Sequence, residues 1–171
     1  MAKGQMMKCV ECGSRMRVHR ELVPFEKPIG LPGVRLLTQV RRCPHCGAHE
    51  VVIPDLDGLH RAIARAIINK SPRLAPEEIR FLRKILGWSG ADFAAYMGAS
   101  VETVSRWENG AMPMGPQADR LLRLMVLTRD PVADYRRLDL LKTVARARPA
   151  SVRVIASVGS KGWTVKPATT A

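Results

Sequence analysis

Apolar residues recur with two different periods along the chain, and the change of period divides it. Up to about residue 53 they alternate, or run in short Val- and Leu-rich stretches broken by Gly and Pro. Residues 18–23, 34–40 and 50–53 read as strands. The Ile-Gly-Leu-Pro-Gly run at 29–33 marks a turn or loop between two of them. From about residue 57 the period lengthens to that of a helix. Leu59, Ile63, Ala66 and Ile67 share one face of a helix over 57–69, with Arg61 and Arg65 on another. Two prolines in residues 69–76 break that helix and predict a linker. Pro76 suits the first turn of the next helix, where Glu77 and Glu78 complement the positive dipole end. Its buried stripe is Ile79, Leu82, Ile85 and Leu86, and Gly87 stops it. Ser89 caps a short helix ending at Gly98, and Ser100 caps another ending near Asn109 and Gly110. Pro116 opens a fourth helix with Leu121, Leu122, Met125 and Val126 on its apolar side. A further amphipathic helix is predicted over 131–146, through Val132, Tyr135, Leu138, Leu141 and Ala145. The last residues alternate around a Gly-Ser-Lys-Gly turn, which fits a β-hairpin or a loose arm. The predicted class is α+β, a small N-terminal β-rich module joined to an all-α domain of about five helices.

Charge adds a partner to this picture. The 171 residues carry 28 Lys and Arg against 15 Asp and Glu, a formal net charge of +13. Such an excess points to nucleic acid or an acidic membrane surface. The 46% hydrophobic content is enough for a packed core, which excludes a wholly disordered basic tail. No apolar run reaches the length of a membrane-spanning helix, and the start lacks the apolar core of a secretory signal. A soluble, cytoplasmic protein is expected. The excess is uneven: residues 59–76 are net +4 and 131–171 net +6, whereas 77–130 are neutral.

All four cysteines fall in two C-x-x-C pairs, Cys9 with Cys12 and Cys43 with Cys46, separated by 30 residues. Each pair sets two thiolates on one tight turn, and Gly13 and Gly47 follow where the backbone must bend. Two such turns supply the four soft ligands of a tetrahedral zinc ion. The alternative is two redox or disulfide pairs. A site of four sulfurs leaves no open position for water, so one structural Zn2+ is expected. A module this small buries too little surface to fold alone, and metal binding would supply the missing stability. His45 and His49 lie close enough to replace a ligand, while His19 and His60 read as surface or packing residues.

From Gly90 to Trp107 the spacing fits a helix-turn-helix. Ala94 is small where two helices cross, Gly98 sits at the turn, and Phe93, Met97, Ala99, Val104 and Trp107 take inward positions. Val101, Glu102, Ser105 and Arg106 are left on the exposed leading face, which in such motifs enters the major groove. The segment Ala-Ser-Val-Glu-Thr-Val-Ser-Arg-Trp-Glu-Asn-Gly, 99–110, resembles the recognition segment of Xre-type helix-turn-helix regulators. The four-cysteine module ahead of it resembles the YgiT-type zinc finger. In this order the two resemble MqsA-type antitoxins, over roughly residues 6–130. That resemblance implies a dimeric repressor whose zinc domain binds a toxin and whose helix-turn-helix domain binds a palindromic operator. It implies zinc ligands at Cys9, Cys12, Cys43 and Cys46. Base-reading positions fall on Glu102 and Arg106: Arg106 can pair bidentately with guanine, and Glu102 can accept from cytosine N4. Ser100, Thr103 and Asn109 suit phosphates. Two residues depart from the pattern. Gly90 stands where such regulators often carry Gln, and Glu102 is acidic where a polar amide is usual.

The expected organisation is a zinc-finger domain, 1–56; a basic helix and linker, 57–75; a helix-turn-helix DNA-binding domain, 76–130; and an amphipathic helix with a basic C-terminal arm, 131–171. No catalytic arrangement stands out, so no enzyme is expected. Gly-Ser-Lys-Gly-Trp-Thr lacks the first half of a phosphate loop, and Ile53 replaces the second histidine that His49-Glu50 would need for a zincin. The leading expectation is an antitoxin-type repressor binding double-stranded DNA as a homodimer, with half-sites about 34 Å apart. The faces at 121–126 and 138–141 are candidates for the dimer contact. Two alternatives remain: a free-standing phage or plasmid regulator without a toxin, and a zinc-domain interaction module with secondary DNA binding. The basic tail either keeps the chain soluble or adds phosphate contacts.

Overall fold

The structure, a computed structural model, describes residues 7–129 and 151–168. The helix expected over 131–146, and with it the face at 138–141, lies outside the described residues. The α+β class holds: N-terminal strands carry the cysteine turns and helices follow.

Strands β1 (Arg17–Pro24) and β2 (Val34–Arg42) pair antiparallel, from Arg17 opposite Arg42 to Pro24 opposite Arg35. Between them lies a helical turn that the sequence reading did not anticipate, α1 (Glu26–Ile29). Gly30 ends it in the left-handed region, and the Glu26 carboxylate accepts the Gly33 N–H at 3.0 Å. Strand β3 (His49–Val51) pairs with the far end of β2. It leaves the ladder earlier than expected, although the Thr38 hydroxyl still donates to the Val52 carbonyl at 2.6 Å.

The C-terminal residues settle as a hairpin, β4 (Val154–Gly159) and β5 (Gly162–Pro167). Strand β4 adds in parallel to β2, Val34 opposite Val154 through Leu37 opposite Ser157. One sheet, in the order β1-β2-β4-β5 with β3 beside β2, thus joins the two ends of the chain.

The inward side chains of β2 and β4, among them Val34, Leu36, Val154 and Ala156, are buried in the same apolar cluster as Leu59, Ile63 and Ile67 of α2 (Leu56–Ile68). The N-terminal strands therefore do not rely on residues 1–56 alone for apolar burial. Their sheet has a core because a helix and a distant hairpin share it.

Helices α3 (Pro76–Ile85), α4 (Gly90–Met97), α5 (Val101–Glu108) and α6 (Pro116–Arg129) complete that core through Ile79, Leu82, Phe93, Val104, Trp107 and Leu122. The stretch 69–76 is irregular, as its prolines dictate, but it is not a free linker. Leu74 and Ala75 are buried, and the Leu74 N–H donates to Asp119 Oδ2 at 2.7 Å. Arg123 of α6, itself buried, donates to the carbonyls of Ile68, Lys70 and Pro72 and to Asp119 Oδ1.

A second buried carboxylate ties three segments. Glu78 accepts from the Ala75 N–H at 2.6 Å, from Lys70 Nζ at 2.6 Å and from the Val152 N–H at 3.0 Å. Burial holds the Lys70 ammonium below its ordinary pKa, partly countered by the Glu78 charge. The C-terminal hairpin is therefore anchored to the helices at Glu78 as well as to β2.

Candidate metal centre and nucleic-acid interface

The metal site is built by strand pairing. Cys9 and Cys12 precede β1 and Cys43 and Cys46 follow β2, so the antiparallel register brings both turns to one end of the sheet. Each turn is closed by its own backbone. The Gly13 N–H donates to the Cys9 carbonyl at 2.8 Å, and the Gly47 N–H to the Cys43 carbonyl at 3.1 Å. Both glycines have positive φ, 73° and 76°, as the bend after a C-x-x-C pair requires. All four Sγ atoms lie within 4.8 Å of one another, with Cys9–Cys46 at 3.6 Å and Cys12–Cys43 at 3.4 Å. A tetrahedron of metal–sulfur bonds near 2.3 Å has edges of about 3.8 Å, so the donor set fits one ion with little movement.

The protonation pattern agrees. Ser14 hydrogen bonds, from side chain first and then backbone, lower the Cys12 thiol to about 6. At Cys46 the backbone bond at Ala48 lowers the thiol, but the three neighbouring sulfurs together with burial push it up to about 12. Four thiolates at this spacing repel, and a cation between them removes the conflict. His45 and His49 are not part of the cluster.

The second constellation rests on local caps. The Ser89 hydroxyl accepts the Asp92 N–H at 3.1 Å and the Asp92 carboxylate accepts the Ser89 N–H at 3.0 Å, a capping box that starts α4. Gly98 ends α4 at φ 60°, and the Ala99 N–H reaches back to the Ala94 carbonyl at 2.9 Å. The Ser100 hydroxyl then accepts the Thr103 N–H at 3.2 Å to begin α5. Three residues, 98–100, thus turn the chain from one helix into the next. Gly98→Ala should cost about 1–2 kcal/mol, since a side chain there opposes the left-handed backbone. A denaturant titration reads this, and a loss below a few tenths would show that the turn relaxes.

Helix α5 is held from behind. Val104 and Trp107 are buried, and Glu108 receives Arg83 on both oxygens, at 2.6 and 3.1 Å. Arg80 Nη2 donates to the Glu108 carbonyl at 2.7 Å and to Asn109 Oδ1 at 2.8 Å. Glu108, Arg80 and Arg83 were not singled out from the sequence. Their signal was an acid beside the core Trp107 and two arginines three apart on α3, which only the fold brings together.

Held this way, α5 exposes Ser100, Val101, Glu102, Ser105, Arg106 and Asn109, with Thr103 half-buried. Val101 keeps 51% of its surface, high for an apolar residue with no core role. Glu102 sits at the helix start. Its own backbone amide, then the Ser100 hydroxyl, then the Arg106 charge hold its carboxyl below the usual range, so it is ionised at neutral pH. Asn109 uses both ends of its amide within the protein, accepting from Arg80 at 2.8 Å and donating to Ser105 Oγ at 3.2 Å.

Among the described residues, no helix is long and apolar enough to cross a membrane. No curated protein and no solved structure matches the chain. Residues 79–127, from the first turn of α3 into the last turn of α6, match the family described as helix-turn-helix. The chain therefore carries a helix-turn-helix of the kind found in DNA-binding regulators, beside four cysteines placed to hold a metal ion.

Proposed function

We propose that the protein is a sequence-specific transcriptional repressor of the antitoxin type, binding a palindromic operator as a homodimer. The observation that carries this reading is the face of α5: uncovered residues Val101, Glu102, Ser105 and Arg106 on a helix fixed from behind by Trp107 and Glu108. In the major groove, Arg106 would pair with guanine and Glu102 would accept from cytosine N4. The operator-binding unit on this reading is 76–130. The dimer contact would use the outer side of α6, where Leu121 and Leu124 keep 36% and 37% of their surfaces.

The four cysteines would hold one structural Zn2+, the ion that suits an all-sulfur tetrahedron without redox chemistry. A cognate toxin would dock on the cysteine module. What favours a protein partner there is an open groove of about 920 Å³ beside the cysteine turns. Its wall combines the apolar Met7, Met16 and Val18 with the basic Arg15, Arg17 and Arg41.

The reading is tested by selecting an operator from random duplexes and titrating it with the full-length protein and with Arg106→Ala. The variant should lose about 1–3 kcal/mol of affinity and relax specificity at one base pair per half-site. Unchanged affinity and specificity would remove Arg106 from the interface. Toxin capture is tested by Val18→Asp rather than by deleting residues 1–56, because that deletion would strip β2 from the shared core. Loss of a toxin-sized partner with operator binding intact supports a division of labour. Absence of such a partner from the wild-type protein in its native host leaves the free-standing regulator.

A further inference from the structure

Between α1 and α3, closed on its third side by α2, lies a cleft of about 340 Å³ that neither the metal site nor the DNA-reading face uses. Its floor is apolar, with Ile29 and Phe81 among the lining side chains, and the His60 ring stands edge-on to Phe81 at 6.1 Å between centroids. Its rim is cationic. Lys27, Arg80 and Lys84 face one carboxylate, Glu77. Lys27 and Lys84 are exposed and make no ion pair or hydrogen bond among the described residues. Arg80 spans the cleft and the recognition helix. Nη2 holds the C-terminal end of α5, Nε stands 3.5 Å from the Glu108 carboxylate, and Nη1 has no partner among the described residues.

We propose that this cleft binds a small organic anion, a carboxylate or phosphate on a flat apolar body, and that Arg80 passes its occupancy to the end of α5. The volume is that of a pocket for a compact molecule. The chemistry divides as such a ligand would need, with an apolar floor for the body and unpaired cations for the charge. A duplex backbone would use exposed cations but would have no use for the floor. An anion engaging Nη1 draws the guanidinium toward the cleft. The long Nε contact with Glu108 is then the first to weaken, while Arg83 keeps its two short bonds to the same carboxylate. The hold on Asn109 and on the last carbonyl of α5 changes with it. Any effect on operator affinity rests on the DNA-binding reading above, but occupancy and its transmission do not.

The test therefore uses the DNA-free, full-length protein, titrated with phenyl phosphate, with benzoate and with neutral benzyl alcohol, and followed by calorimetry and amide chemical shifts. At least one of the two anions should bind saturably at one site, and benzyl alcohol at least 10-fold more weakly. The stronger anion distinguishes phosphate from carboxylate. The double variant Lys27→Ala/Lys84→Ala, both exposed, should fold normally and weaken binding at least 10-fold. Shifts should appear at Phe81 and Lys84 and also at Glu108, Asn109 and Gly110. The site is overturned if neither anion saturates, if the alcohol binds equally, or if the double variant binds undiminished. Displacement of the anion by random-sequence duplex would assign the cleft to the DNA backbone instead. Shifts confined to the cleft overturn the transmission through Arg80. Arg106→Ala should leave anion binding unchanged, so failure of the DNA-binding reading and failure of this site register separately.

Discussion

Stripping the metal from the full-length protein should unfold the two cysteine turns and leave the helical core standing. In zinc-finger peptides the ion contributes on the order of 10–16 kcal/mol, and in this chain that free energy has few other uses. None of the four cysteines belongs to the contiguous apolar cluster, although Cys9 and Cys43 are themselves buried. The turns they close are held otherwise by short backbone bonds such as Cys9 N–H to Ser14 and Cys43 N–H to Ala48, both at 2.8 Å. The first half of β1, 17–20, is exposed throughout and has little packing of its own. By contrast Val34, Leu36, Val154 and Ala156 are buried with α2 in a cluster that contains none of the cysteines. Hydrogen exchange after chelation should show protection lost over 9–20 and 43–49 and retained over 56–127. Cys43→Ser should reproduce the pattern without a chelator. A single cooperative loss across the whole chain would show that the sheet, and not only its turns, depends on the metal.

Arg123→Ala should be among the most damaging single substitutions in the helical half, at about 3–5 kcal/mol. The side chain is 1% exposed and its guanidinium fills four bonds, to Asp119 at 2.7 Å and to carbonyls at 68, 70 and 72. Truncation leaves a buried carboxylate without its counter-charge and three carbonyls without a donor. Asp119 would keep only the Leu74 N–H. For a chain of this size each kcal/mol moves the melting temperature by roughly 2–4 °C, so a fall of about 10 °C is expected. Arg42→Ala offers the contrast. Its pair with Glu21 is well formed, at 2.7 Å, but both side chains are solvated, and such pairs contribute about 0–1 kcal/mol. A loss below 1 kcal/mol for Arg123→Ala would mean that water replaces the guanidinium at the 68–72 carbonyls.

How far the sequence could be read depended on the range of the interaction. Ser89, Gly98, Ser100, Pro76 and Pro116 mark helix ends through bonds or steric limits spanning three to five residues, so their type announces their role. The strands at 17–24 and 34–42 were legible for the same reason, as was the pairing of each cysteine with its C-x-x-C neighbour. The outer side of α6 was not. Leu121 and Leu124 look as apolar as Leu122, but Leu122 alone of the three is buried.

By itself, the sequence determined where α3 to α6 begin, that four thiols would be presented on two turns, and which side of α5 would face outward. Only the tertiary structure decided that β4 lies beside β2, that Glu78 and Arg123 are buried, and that Arg80 links a basic cleft to the end of α5. The physical reason is separation. A cap is satisfied within one turn of helix, whereas Val34 meets Val154, Glu78 meets Val152, and Arg123 meets Lys70 only after the chain has folded back on itself. A charged residue reads as solvated until its distant partners are in place.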